Sequence, residues 1–80
     1  MHIAVEISLY PLKDGFIPPI EDFIVRLRAH EGLRVVTNAM STQVSGEMDA
    51  VMPALQQEMA VSFGGPHRAV FVMKVLGGGD

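Results

Sequence analysis

The run Thr37-Asn38-Ala39-Met40-Ser41-Thr42-Gln43-Val44-Ser45-Gly46-Glu47 gathers uncharged hydrogen-bonding side chains into one stretch. A loop made only for solubility usually carries Lys, Glu or Asp. Neutral hydroxyls and amides suit partial burial, because one or two partners satisfy each without a counter-charge. Two readings stand: a pocket for a small polar molecule, or a β-hairpin whose Ser and Thr groups pair across its strands. Glu6 is the second candidate, in mid-strand between Val5 and Ile7 and on the same face as Ser8 and Tyr10. A carboxylate there needs a cation or donors beside it. Arg68 or Lys74 would make a structural ion pair; a cationic or amino-bearing ligand is the alternative.

Other chemistry is poorly supplied. His2, His30 and His67 have no HxH or HxxxH spacing and no Cys companions, so no metal site is expected. Ser41 and Ser45 lack a neighbouring His or Lys and a nucleophile elbow. Glu6 or Glu47 would serve as a general acid–base only with a second catalytic group, and none is evident. Gly77-Gly78-Gly79 precedes neither Lys-Ser/Thr nor a helix, which excludes a phosphate loop. A binding role without a cofactor is the expectation. The net charge is -3 and the six Lys and Arg (Lys13, Arg26, Arg28, Arg34, Arg68, Lys74) are scattered, which argues against nucleic acid as a partner. The absence of cysteine agrees with a cytoplasmic location. No apolar run approaches the roughly 20 residues of a membrane span, and no basic-then-apolar signal peptide opens the chain.

The elements that must position these groups follow from periodicity. Eighty residues, 49% hydrophobic and 19% charged, make one globular domain with a marginal core. Residues 1–76 form that domain, and residues 77–80 a flexible tail. From His2 to Tyr10, Ile3, Val5, Ile7 and Leu9 alternate with Ala4, Glu6, Ser8 and Tyr10, a strand. Ile20, Phe23, Ile24 and Leu27 mark a helix that begins at Pro18-Pro19, has Glu21 and Asp22 in its first turn and closes at Gly32. Leu33–Asn38 and Ser41–Ser45 read as two strands around Ala39-Met40. Met48, Val51, Met52, Leu55 and Met59 mark a second helix ending near Phe63, its methionines packing the core. Pro53 requires either a start near Ala50, with Asp49 as N-cap, or a kink. His67–Leu76 is a fourth strand.

The order β-α-β-β-α-β predicts an α+β, ferredoxin-like fold: a four-stranded antiparallel sheet with two helices on one face. The last strand is apolar on both sides, with Ala69, Phe71, Met73 and Val75 on one and Val70, Val72 and Leu76 on the other. Only Arg68 and Lys74 interrupt the second row. Two helices cover one face, so a homo-oligomer packed through the open face or an edge is expected.

The strand Val5-Glu6-Ile7-Ser8-Leu9-Tyr10-Pro11-Leu12, the hairpin Thr37–Glu47 and Arg68-Ala69-Val70 leading to Lys74 resemble the YkoF-like thiamine-binding protein family. The run around Met40, Thr42 and Gly46-Glu47 is the most specific part, and the likeness spans almost the whole chain. It implies the ferredoxin-like fold, dimers or tetramers, and binding of thiamine or its hydroxymethylpyrimidine half without catalysis. Carried over, Thr42 and the neighbouring Asn38, Met40 and Ser41 would face the ligand, with Ser8 and Glu6 as polar companions. Members often carry Pro, Gly and an acid where this chain has Ala39, Ser41 and Ser45; the last difference removes a charge near the expected pocket. A structural or regulatory oligomeric domain with no small ligand is the alternative.

Overall fold

Alternating apolar residues and two runs at helical spacing assemble into one sheet with two helices on a single face. A computed structural model describes residues 1–79. Its elements are β1 (His2–Pro11), α1 (Ile17–Arg28), β2 (Arg34–Thr37), β3 (Thr42–Glu47), α2 (Met48–Phe63) and β4 (Ala69–Gly77). The sheet is antiparallel throughout, in the order β2-β3-β1-β4. This is the ferredoxin-like α+β arrangement expected from the element order.

The core lies between sheet and helices. Ile3, Val5, Ile7 and Leu9 of β1 and Val44 of β3 meet Phe23 and Leu27 of α1 and Val51 and Leu55 of α2, all buried. Burying each such side chain contributes roughly 1.5–3 kcal/mol. Phe71 of β4 packs against Phe23 and Phe63, with ring centroids 4.9 and 5.4 Å apart, and so ties the edge strand to both helices.

Several boundaries depart from expectation. Helix α1 starts at Ile17, one residue before Pro18, so Glu21 and Asp22 fall beyond its first turn. It is capped at Ala29, and Gly32 sits in the following turn with φ 81°. Helix α2 starts at Met48 with Glu47 as N-cap, so Pro53 lies inside it and Asp49 is a first-turn residue. The carbonyl of Asp49 therefore lacks its usual amide donor. The methionines are not the buried seam of α2. Val51, Ala54, Leu55 and Glu58 are, while Met48 is exposed and Met52 and Met59, half-buried, pack against the core from its margin. Arg68 precedes β4, and Gly77 closes that strand opposite Ile3. The expected tail thus loses its first residue to the sheet, and its last, Asp80, lies outside the described residues.

Between the helices is a charged cluster that the sequence pattern did not reveal. Glu58 is 5% exposed. Arg26 Nε donates to Glu58 Oε1 at 2.8 Å, and Arg26 Nη2 donates to the Glu58 carbonyl at 3.0 Å and to Ser62 Oγ at 2.8 Å. Arg26 Nη1 pairs with Asp22 one turn back. His30 Nε2 lies 2.6 Å from Glu58 Oε2. The His30 hydrogen bond holds the Glu58 carboxyl below the ordinary carboxylate range; burial opposes this and Arg26 assists. Among the described residues, no helix is long and apolar enough to cross a membrane.

Candidate functional site

Strand β1 outruns one of its neighbours. Its pairing with β3 runs from His2 opposite Glu47 to Ile7 opposite Thr42 and stops, whereas its pairing with β4 continues to Pro11 opposite Ala69. Residues Ser8 to Pro11 therefore have no strand on the β3 side. Alternate residues of an antiparallel strand turn both N–H and C=O toward the same side, so part of this backbone faces open space. A cleft of about 640 Å³ occupies the gap, between the β2–β3 turn and the start of α1. Ile7, Leu9, Phe16, Ile20 and Phe23 supply apolar wall; Thr37, Asn38, Ser41, Thr42 and Ser8 supply polar groups. Among the described residues, no Asp, Glu, Lys, Arg or His lines it.

Thr42 is the buried polar group of this cleft, only 6% exposed. It follows the parity of Val44, so its side chain points to the helix layer. Its Oγ1 lies 3.1 Å from Thr37 Oγ1, a cross-strand pair that uses one of the two hydroxyl hydrogens and leaves the other free to turn. The turn itself is held by Asn38. Its Oδ1 accepts from the amides of Met40 at 2.8 Å and Ser41 at 3.1 Å, and its own amide donates to the Ser41 carbonyl at 3.1 Å. The acceptor end of Asn38 is thereby spent on local structure, and its amide NH₂ remains. Met40 stands at the tip, 87% exposed.

Glu6 is on the other face. It pairs across to Gln43 and Lys74, and its carboxylate accepts a 3.2 Å hydrogen bond from Ser41 Oγ. Lys74 Nζ is 3.7 Å away and largely exposed, a loose surface pair worth little. Of the two cations expected beside Glu6, Lys74 takes the place. Glu6 does not line the cleft. Ser45 lies on this open face as well, opposite Ala4 and Arg34 and near the far end of β3. An acid at that position would sit away from the cleft.

Gly46-Glu47 stands at that far end. Gly46 has φ 155°, and a Cβ there would come within 2.8 Å of the Gly32 carbonyl oxygen, so close approach of two backbones requires glycine. Glu47 Oε2 is 3.0 Å from the Met1 amine, a hydrogen bond that holds the carboxyl below its ordinary range. A general acid–base needs the opposite shift.

The family model of the thiamine-binding protein matches residues 5–77. The chain belongs to the thiamine-binding protein family. No curated protein matches the sequence. Among solved structures, a hypothetical protein of Methanocaldococcus jannascii superposes with a TM-score of 0.84 at 25% identity, over 99% of this chain and 82% of that one. A Streptococcus pneumoniae protein gives 0.77 at 20% identity, over 99% and 89%. A candidate thiamine biosynthesis/salvage protein of Thermotoga maritima gives 0.69 at 17% identity, over 94% and 82%. At these identities the last two speak for the fold alone.

In this thiamine-binding family member the expected site residues divide into two groups. Thr42, Asn38, Met40 and Ser8 border the cleft, Ser41 stands at its rim, and Glu6 meets Ser41 from the opposite face. Thr37, Phe16 and Ile20 were not among the expected ligand-facing residues, although Thr37 opens the polar run and Ile20 marks the first helix. Thr37 had a visible signal, a second hydroxyl flanking the turn at hairpin spacing. Phe16 and Ile20 had none, because their contribution depends on where α1 crosses the sheet.

Proposed function

We propose that the protein binds thiamine or its hydroxymethylpyrimidine moiety, without catalysing a reaction, in the cleft beneath the β2–β3 turn. The observation that carries this is an uncharged cleft whose buried hydroxyl, Thr42, stands beside unpaired backbone of β1. An aminopyrimidine is flat and presents alternating donors and acceptors on its edge. Thr42, Thr37, the Asn38 amide and the open backbone of β1 suit that edge, while Phe16, Ile20 and Met40 suit its faces. The volume of about 640 Å³ falls within the roughly 300–1,000 Å³ of small-molecule sites. A lining without carboxylates favours the neutral pyrimidine half over the cationic thiazolium. Membership of a family named for thiamine binding supports the ligand class.

Calorimetric titration with thiamine and with hydroxymethylpyrimidine tests the reading. Heat of binding and a raised melting temperature are expected, with the pyrimidine retaining most of the affinity. Absence of both signals at millimolar ligand would overturn it.

One observation favours a second reading, a structural or regulatory homo-oligomeric domain. Tyr10, Val36, Val70, Val72 and Leu76 are all exposed, on the sheet face that carries no helix. Covering them with a second copy gives a dimer, and pairing dimers a tetramer. The two readings are compatible where the oligomer carries the cleft at its periphery.

A further inference from the structure

The flank of α1 turned away from the thiamine-type cleft borders a second one, of about 480 Å³, between the start of α1, the end of α2 and the segment leading into β4. Pro11, Pro18, Pro19, Pro66 and Val61 make its walls. Its charged side chains are Lys13, Asp22, Arg26, His67 and Arg68. The chain has six Lys and Arg against nine Asp and Glu, yet this cleft takes three of the former and one of the latter. An acidic protein has concentrated cations in one concavity.

The pairing within the cleft sharpens the asymmetry. Asp22 is neutralised by Arg26, and Arg26 is fastened to Glu58 and Ser62. Among the described residues, Lys13, His67 and Arg68 form no ion pair. Their positions are fixed by backbone: Leu12 N–H donates to the Arg68 carbonyl at 2.9 Å, which sets the Lys13 loop beside Arg68, and His67 stands between Pro66 and Arg68. Low-dielectric proline walls focus the field of such cations into the concavity.

We infer that this cleft binds a small phosphate-bearing anion, with Lys13, His67 and Arg68 around the phosphate and the organic part against the prolines. A phosphate offers acceptors in several directions at once, which matches a planar Arg fork, a Lys point charge and an imidazole N–H better than a single carboxylate does. The inference does not rest on the Thr42 cleft.

The test is calorimetric titration of the intact protein with inorganic pyrophosphate and with phenyl phosphate. Both bind, and more weakly as salt is raised. Lys13→Gln with Arg68→Gln lowers affinity by roughly tenfold or more, as loss of charge-assisted contacts requires. Arg28→Gln with Arg34→Gln removes the same charge from outside the cleft and leaves affinity near its original value, as does Thr42→Val. No heat with either probe, or equal weakening by the two double variants, overturns the inference; circular dichroism confirms that all variants are folded.

Discussion

Thr42 and Glu6 stand on opposite faces of one sheet, although Thr42 pairs with the residue next to Glu6. Thr42 is opposite Ile7 and turns with it toward the helices; Glu6 is opposite Gln43 and turns away. Ser41 joins the two regions by reaching Glu6 from the turn that Thr42 begins to leave. On the proposed reading, a ligand in the cleft would meet the Thr42 hydroxyl and not the Glu6 carboxylate. Thr42→Val should weaken hydroxymethylpyrimidine binding about tenfold and cost roughly 1 kcal/mol of stability through the lost Thr37 bond. Glu6→Gln should change affinity by less than about twofold. Titration of both variants checks the pair, and the reverse ranking would move the site to the open face.

Glu58 anchors α2 to α1 through Arg26 and His30. Replacing it with Gln leaves Arg26 without its buried counter-charge and should cost about 3 kcal/mol in a urea unfolding experiment. The pH dependence has a definite sign. The folded-state pKa of Glu58 is lowered from its ordinary value of 4.5, so its contribution is complete above that pH and is lost as pH falls through the folded-state value. The gap between the parent protein and Glu58→Gln should narrow in acid and stay wide near neutrality.

Gly46 cannot accept a side chain without moving the Gly32 backbone. Gly46→Ala should destabilise the fold by about 2 kcal/mol or more, measured by thermal melting, while Gly15→Ala loses only the cost of its own positive φ. A melting temperature for Gly46→Ala equal to that of the parent would show that the β3–α2 junction relaxes freely.

Val72 is 53% exposed at the middle of the apolar row on the helix-free face. If the open face forms the proposed oligomer, Val72→Lys should give a lighter species by sedimentation velocity, with little change in monomer stability because the position is already open to water in one chain. An unchanged sedimentation coefficient would direct attention to the β4 edge instead.

Much of this architecture was legible in local pattern. Period-two alternation in β1 placed Ile3, Val5, Ile7 and Leu9 in the core, and helical spacing selected Phe23 and Leu27. In the polar hairpin Thr37 and Thr42 satisfy each other across the strands, as its composition allowed, and the same two residues border a cleft. Helix ends were less legible. Pro18-Pro19 marked the start of α1 to within one residue, whereas Met48 could begin α2 because its N–H finds the Met1 carbonyl at 2.8 Å. The Arg26–Glu58–His30 cluster joins α2 to α1 and the turn that follows it, across about thirty positions, and no spacing rule connects them.

The sequence by itself determined the element order, the fold class and which residues of β1 and α1 turn inward, because those depend on periods of two and 3.6 residues within single segments. Tertiary structure decided which faces coincide. Whether Glu6 shares a surface with Thr42, whether Ser45 lies near the cleft and how far β1 outruns β3 are all set by strand register, and a shift of one residue reverses every side chain. Register is a relation between segments distant in the chain, so it became visible only once the strands were paired.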